Sequence, residues 1–235
     1  MTGPPSSHAE EERIRRVYEA RTDASRYSWL TRGQQLIMQS AERGMLDALR
    51  RAGVQTLGAS TFLEVGCGTG HWLRALVQWG ARPDRVVGVD LLAPRLAGAR
   101  TRCAREVRLA TASGTGLPFR DQTFDVVMQS TMFTSILDED VRRFVAHEML
   151  RVLRPHGVVL WYDFFVNNPR NRDVRGVSRR ELGMLFPGCR IAVRRVTLAP
   201  PLARVLAPRM WTMASVLSAI PMLCTHLVGT VSRPN

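Results

Sequence analysis

Between residues 61 and 163 the chain alternates short apolar runs with longer stretches of mixed polarity. The runs at 61–65, 85–90, 107–110, 124–129 and 158–163 have strand length and are bounded by glycine, proline or polar residues. The intervening stretches near 69–79, 93–104 and 138–153 carry apolar residues at helical spacing. In the last of them Val141, Phe144, Val145, Met149 and Val152 share one face at about 100° per residue. Glu148 falls on that same face, where an arginine or a backbone amide is its expected partner, and His147 points away from it. Alternation of strand and helix predicts a doubly wound parallel α/β sheet.

The flanks extend this pattern. Helices are expected over 9–21 and 33–52, joined by a segment with Tyr27, Trp29 and Arg32, and residues 1–56 read as a helical lid or extension on a domain spanning 57–235. Beyond residue 164 the pattern predicts a short helix at 178–185, a strand at 189–198, a proline-marked helical insert near 202–220 and a last strand at 225–233. The apolar stretch 210–229 reaches membrane-spanning length, but Pro221 and His226 interrupt it, so a buried helix followed by a strand is expected.

The candidate chemistry sits in residues 62–70, FLEVGCGTG. A strand ends near Glu64, glycines follow at 66, 68 and 70, and a helix begins. Turns without Cβ atoms let backbone approach a nucleotide-like ligand, and the helix start offers unpaired N–H groups. Asp90 closes the next strand, RVVGVD, about 20 residues on, where a carboxylate receives ribose hydroxyls. The G-x-G-x-G spacing differs from the dinucleotide fingerprint, whose third glycine follows two intervening residues.

Led by Glu64, this spacing resembles motif I of the class I S-adenosylmethionine-dependent methyltransferases. LPFRDQTFDVVMQS (117–130) is similar to that family's stretch into strand four, and HEMLRVLRPHGVVLWYDF (147–164) to its helix, R-P-x-G turn and strand five. The resemblance implies a Rossmann-like sheet of seven strands, the last antiparallel, and S-adenosylmethionine as cofactor. It implies that Glu64 meets the methionine amino group, that the amides around Gly66, Cys67, Gly68 and Gly70 accommodate the methionine end, and that Asp90 binds the ribose. Leu91 would lie against adenine, the Gln129 carbonyl would reach the cofactor's amino group, and Tyr27 would cover the cofactor. Ser113 and Gly114 stand where the family usually has an acidic or amide residue followed by a small one; Gly114 N–H still donates to the ring, whereas serine is a shorter acceptor.

Methyl transfer from a sulfonium needs alignment and a dry pocket more than acid or base, and proximity supplies most of the effect. Asp163, at the end of strand five, is a candidate proton acceptor, with capping of the following loop as its alternative. His71 opens the helix after the glycines and is a second candidate base. Thr131, Phe133 and Tyr162, at strand ends, and Tyr18 and Trp29, from the N-terminal segment, are candidate walls of an acceptor pocket, with core packing the alternative for the aromatics.

Composition changes this picture little. The formal net charge is +13, but all 33 basic residues are arginine, the habit of a GC-rich genome, so charge alone is a weak pointer to nucleic acid. Cys67, Cys103, Cys189 and Cys224 show no metal-ligand spacing, and no apolar leader opens the chain, so a reduced cytoplasmic protein without metal is expected. The arginines of 170–180 read as a solvated loop or an anion-binding rim. The expected function is methyl transfer to an oxygen or nitrogen of a small molecule, in specialised-metabolite or in glycolipid or polysaccharide biosynthesis. Its rivals are RNA methylation, a non-catalytic partner of the same fold, and weak recruitment to a membrane surface through the arginine loop and the apolar C-terminal region, compatible with a lipidic acceptor. Strand four lacks the N-P-P-Y type sequence used on exocyclic base amines, which argues against nucleic acid.

Overall fold

In the computed structural model the described residues are 4, 6–20, 28–168 and 171–234. Seven strands form one sheet: β1 (Phe62–Val65), β2 (Val86–Asp90), β3 (Arg108–Thr111), β4 (Phe124–Ser130), β5 (Leu153–Phe164), β6 (Arg190–Leu198) and β7 (Cys224–Ser232). Their order is β3-β2-β1-β4-β5-β7-β6. The neighbours among the first five are parallel, whereas β7 runs antiparallel to both β5 and β6. The seven-stranded Rossmann-like expectation therefore holds, and the antiparallel strand is inserted between two others.

The pleat sends alternate side chains to opposite faces. On one face Leu63, Val65, Val87, Val127, Val159 and Trp161 meet α5 (Glu139–Val152) and α6 (Arg179–Leu185). On the other, Phe62, Val86, Val126, Met128, Leu160 and Tyr162 meet α2 (Arg32–Arg51) and α3 (His71–Gln78), with Leu96 of α4 (Ala93–Arg100) alongside. Local chemistry starts the helices: Asp138 accepts the Val141 amide at the head of α5, and Ser178 accepts the Glu181 amide at the head of α6. As expected, Glu148 lies on the inner face of α5, bound to Arg151 and to the Leu117 amide.

Three differences from expectation have physical causes. Half of the expected lid is a layer helix: α2 buries Leu36, Ala41, Met45 and Leu49, so only α1 (Ser7–Glu19) stands apart from the layers flanking the sheet. The expected R-P-x-G turn is extended, because β5 already pairs at Leu153 and then bulges before Val158 rejoins the β4 register. The expected buried helix within 210–229 lies at the surface. The insert folds as α7 (Pro200–Leu206) and α8 (Trp211–Leu217), and in α8 only Ala214 is buried. Small residues, Ala203, Ala207 and Ala214, make the contact with Leu36 and Leu198, and Leu202, Val205, Met213 and Val216 are left outside. No helix among the described residues is long and apolar enough to cross a membrane.

Insertion of β7 demands a close approach at its centre. A Cβ built on Gly229 would lie 2.0 Å from the Ala192 carbonyl oxygen of β6. Gly229→Ala is therefore expected to destabilise the fold by about 3 kcal/mol, read from urea unfolding, through overpacking that backbone cannot relieve. An unchanged unfolding midpoint would show that the β6–β7 contact is not tight.

Candidate functional site

The turn after β1 is built from left-handed backbone: φ is +76° at Gly66, +54° at Gly68 and +74° at Gly70. Such values disfavour side chains, which explains the glycine spacing. The turn is held mainly by the neighbouring strand β2. Gly66 and Cys67 donate to the Val89 carbonyl at 2.8 and 2.9 Å, and Gly70 donates to the Cys67 carbonyl at 2.9 Å. Gly68 donates to Asp90 Oδ2 at 2.7 Å, while Asp90 Oδ1 accepts the Leu92 amide at 2.9 Å. The amides of Gly66, Cys67, Gly68 and Gly70 are thus spent on the turn itself. They shape the turn, and Asp90 fastens it.

Glu64 lies under this turn, 2 % exposed, with Oε2 lacking any hydrogen-bond partner. Burial first, and then the Asp90 charge, push its carboxyl well above the ordinary range, while Arg74, Arg95 and the Leu73 amide pull the other way. A buried acceptor without a donor is costly, and it fits a ligand that brings one. Cys67, buried beside it, has its thiol pushed far up by burial, then by Glu64 and Asp90, so it is an inert packing residue.

Other elements close over the turn. Arg95 of α4 comes so near that a Cβ on Gly68 would lie 2.7 Å from its Nη2, and its guanidinium rests over the Tyr18 ring at 4.7 Å. Tyr18 shares a 2.9 Å hydrogen bond with Ser135 Oγ. Buried Glu10 binds Arg13 and the Leu137 amide, and Arg13 reaches the Ser135 carbonyl. Burial opposes the Glu10 charge, but Arg13 and the Leu137 amide hold its carboxyl below the ordinary value. Helix α1 is therefore latched onto the loop after β4. The sequence showed this pair only as an i, i+3 match on a polar helix, and nothing marked Arg95 or Arg74 as part of the site.

At the end of β4 the side chains part company. Ser130 accepts from Trp72 Nε1 at 2.9 Å on the face that also carries Glu64 and Asp90. Thr131 has φ of +53° and donates its amide to the Tyr162 carbonyl at 2.9 Å. A left-handed threonine is unusual and marks a constrained loop. Gln129 holds it: fully buried, its side chain accepts from the Met132 amide and donates to the Tyr162 carbonyl, at 3.1 and 3.4 Å. Met132 in turn lies against Gly66, so the loops after β1 and β4 meet.

Three expectations fail here. Phe133 is fully buried against Trp161, with ring centroids 4.8 Å apart, and is core rather than pocket wall. Tyr162 is also buried, its hydroxyl 3.0 Å from Thr197 Oγ1 and its ring stacked on His226. Asp163, the next residue, points to the opposite face, where it is fully buried and accepts from the Thr134 and Phe164 amides. Its loop-fixing alternative is the one realised. Burial raises the Asp163 carboxyl to about 7, against the pull of Thr134, the Phe164 amide and Arg142. The pleat that makes β5 a strand separates Tyr162 from Asp163, and Asp163 from His71.

His71 is half-buried at the head of α3, its ring between Trp72 and Trp29 at 4.7 and 5.5 Å. Burial, and then Arg74, lower its pKa. Trp29 is exposed and edges the site. Leu91 and Gly114 are partly buried at the ends of β2 and β3, and Ser113 Oγ is tied to Thr115, 2.8 Å from its hydroxyl. Tyr27 lies outside the described residues. Of the arginine-rich loop, Arg175 is no solvated rim residue: it binds Glu181 at 2.8 Å, and its carbonyl accepts from buried Arg142. No group of three or more metal-ligating side chains occurs among the described residues.

Comparison with known proteins agrees with this geometry. A family model described as a methyltransferase domain matches residues 62–157. A demethylmenaquinone methyltransferase of Lactiplantibacillus plantarum is 33 % identical over 98 residues, and the match spans 40 % of this chain and 40 % of that protein's length. Among solved structures, a methyltransferase of Thermotoga maritima, titled a possible histamine N-methyltransferase, covers 97 % of this chain and 99 % of its own at a TM-score of 0.56 and 18 % identity. The [4+2]-cyclase SpnF covers 83 % of this chain and 82 % of its own at a TM-score of 0.59 and 18 % identity, a likeness of fold.

The raised Asp163 carboxyl carries a pH signature. Native Asp163 keeps a proton that the unfolded chain releases above its ordinary 3.8, so its contribution to stability is full below that value and declines until about 7. In urea unfolding, Asp163→Asn should gain on the wild-type protein between about pH 4 and about pH 7. Parallel pH profiles of the two proteins would contradict this ionisation.

Proposed function

Because residues 62–157 form a methyltransferase domain of the class I S-adenosylmethionine-dependent family, we propose that the chain transfers a methyl group to an oxygen or nitrogen of a small-molecule acceptor. The observation that carries this reading is the buried Glu64 Oε2, an acceptor without a donor beneath a turn whose own amides are already paired. S-adenosylmethionine supplies the activated methyl on sulfur, together with an ammonium and ribose hydroxyls as donors. Glu64 takes the ammonium, which restores its charge against the cost of burial. Asp90, fixed by the Gly68 and Leu92 amides, turns its remaining lone pairs to the ribose. Leu91 and Gly114 flank the adenine, and Ser113, tied to Thr115, leaves the Gly114 amide as the ring's donor.

Little acid–base chemistry is then required. The loops after β1 and β4, which meet where Met132 lies against Gly66, would align the methyl of a bound cofactor with the acceptor, and the latched α1 would shield them from water. His71, kept neutral by burial and Arg74, takes the proton of a hydroxyl acceptor. A small-molecule acceptor is favoured by the demethylmenaquinone methyltransferase relative; specialised-metabolite or glycolipid biosynthesis suits such an acceptor. A fold shared with a cyclase leaves one competing outcome, cofactor binding without methyl transfer.

Two measurements test this reading. By calorimetry the protein should bind S-adenosylmethionine and S-adenosylhomocysteine, and Glu64→Gln should weaken the former by about 1 to 3 kcal/mol, the worth of a charge-assisted hydrogen bond. Folded protein that takes up neither compound would end the proposal. His71→Asn should leave cofactor affinity intact while slowing turnover of a hydroxyl acceptor by about a hundredfold. Undiminished turnover would remove His71 from the chemistry.

A further inference from the structure

The large apolar side chains left exposed are concentrated in one region. Leu202, Val205, Met210, Met213, Val216, Ile220 and Met222 lie on and after α7 and α8, with Val216 62 % and Met222 86 % exposed. Trp29 and Leu30, 48 % and 93 % exposed, immediately precede α2. These two groups adjoin, because Gly33 at the head of α2 is set against Arg204 of α7, where a Cβ would come within 2.8 Å of its Cα. Spacing of three residues puts Leu202 with Val205, and Met213 with Val216, on the outward face of each helix. Soluble surfaces rarely gather so many apolar groups without a partner.

The charge carried by the α7–α8 hairpin itself has one sign. No aspartate or glutamate follows Glu181, whereas six arginines do, and Arg204 and Arg209 fall within the apolar hairpin itself. The position is equally specific. Ser40 meets the Thr197 amide and Asp47 meets Arg194, so α2 runs opposite to β6 and begins at the carboxyl ends of the parallel strands. α7 leaves β6 at that same end. Trp29, part of the apolar face, also contacts His71, so the face borders the candidate site.

From this we infer that the α7–α8 hairpin and the Trp29–Leu30 corner form a docking face for an anionic lipid surface, which presents an amphiphilic acceptor to the site at its edge. Apolar side chains enter the headgroup boundary and the arginines meet lipid phosphates, the two signals that together give stable interfacial attachment. Complementary charge is what selects an anionic bilayer over a second copy of the chain, since two such faces brought together would oppose arginine to arginine. Docking itself is independent of the methyl-transfer reading; only the delivery of the acceptor rests on it.

The test is co-sedimentation of the full chain with phosphatidylcholine vesicles that contain or lack phosphatidylglycerol. Binding is expected to the anionic vesicles, weakening with added salt. The double variant Val216→Glu/Met222→Glu should bind about tenfold less tightly or worse, and Arg209→Gln less tightly than wild type. Circular dichroism and S-adenosylhomocysteine calorimetry should be unaltered; if the double variant misfolds, Met222→Glu alone serves. The inference is overturned if anionic vesicles are not bound, if the glutamate variants bind them equally well, or if sedimentation equilibrium shows the face consumed in a dimer that those variants dissolve. Vesicle binding by a protein that takes up no S-adenosylhomocysteine would leave docking intact and sink the methyl-transfer reading instead.

Discussion

One carboxylate holds the working end of this molecule together. Asp90, at the tip of β2, receives the Gly68 amide from the turn after β1 and the Leu92 amide from its own turn. Both bonds are short, shielded and made to an ionised acceptor, the strong class of hydrogen bond. With the turn pinned there, the Gly66 and Cys67 amides meet the Val89 carbonyl of the same strand, Glu64 is left beneath with an unmet oxygen, and Arg95 closes above. A left-handed glycine turn would otherwise be among the most mobile segments of an α/β domain, because glycine loses the most freedom on ordering. The rigidity of the site is therefore imported from the neighbouring strand.

The sheet's two faces divide the labour. Glu64, Asp90 and Ser130 project towards the helices α2, α3 and α4, and any ligand held by them lies at that edge. Gln129, Phe133 and Asp163 project the other way, where they fix the loop after β4 and give α1 something to grip. Arg142, fully buried, reinforces that side by binding the Ile136 and Arg175 carbonyls and Glu181. Burial lowers its pKa, yet the guanidinium keeps its charge, and such a cation needs every one of these acceptors. The groups that looked catalytic by virtue of lying at strand ends thus belong to two separate structures, one facing the ligand and one supporting it.

What the sequence disclosed follows from the range of the interactions concerned. Strand and helix limits were legible because burial repeats along the chain, and the G-x-G-x-G turn with Asp90 was legible because left-handed backbone demands glycine at fixed positions. Glu148 was placed with its kind of partner from helical phase alone. Three readings failed for a shared reason. Tyr162, Asp163 and Phe133 owe their positions to distant partners, Thr197 and His226, the Thr134 amide, and Trp161, which the residue types do not state. The latch formed by Glu10 with Leu137, and the cover formed by Arg95 over Tyr18, join residues far apart in the chain and left no local trace. The surface position of α8 followed from the smallness of Ala203, Ala207 and Ala214, which its own hydrophobicity concealed.

The placing of β7 between β5 and β6 sets an order of events for synthesis. β6 leaves the ribosome before the strand that must sit beside it, and it has no other neighbour in the sheet. Until residues 224–232 have emerged, β5 presents an unpaired edge and β6 has no partner strand, the two joined only through the segment that carries α6. Closure of the sheet is then a late and non-local step, slow by its topology, and the nascent chain during that interval offers an open strand for chaperones or for mispairing.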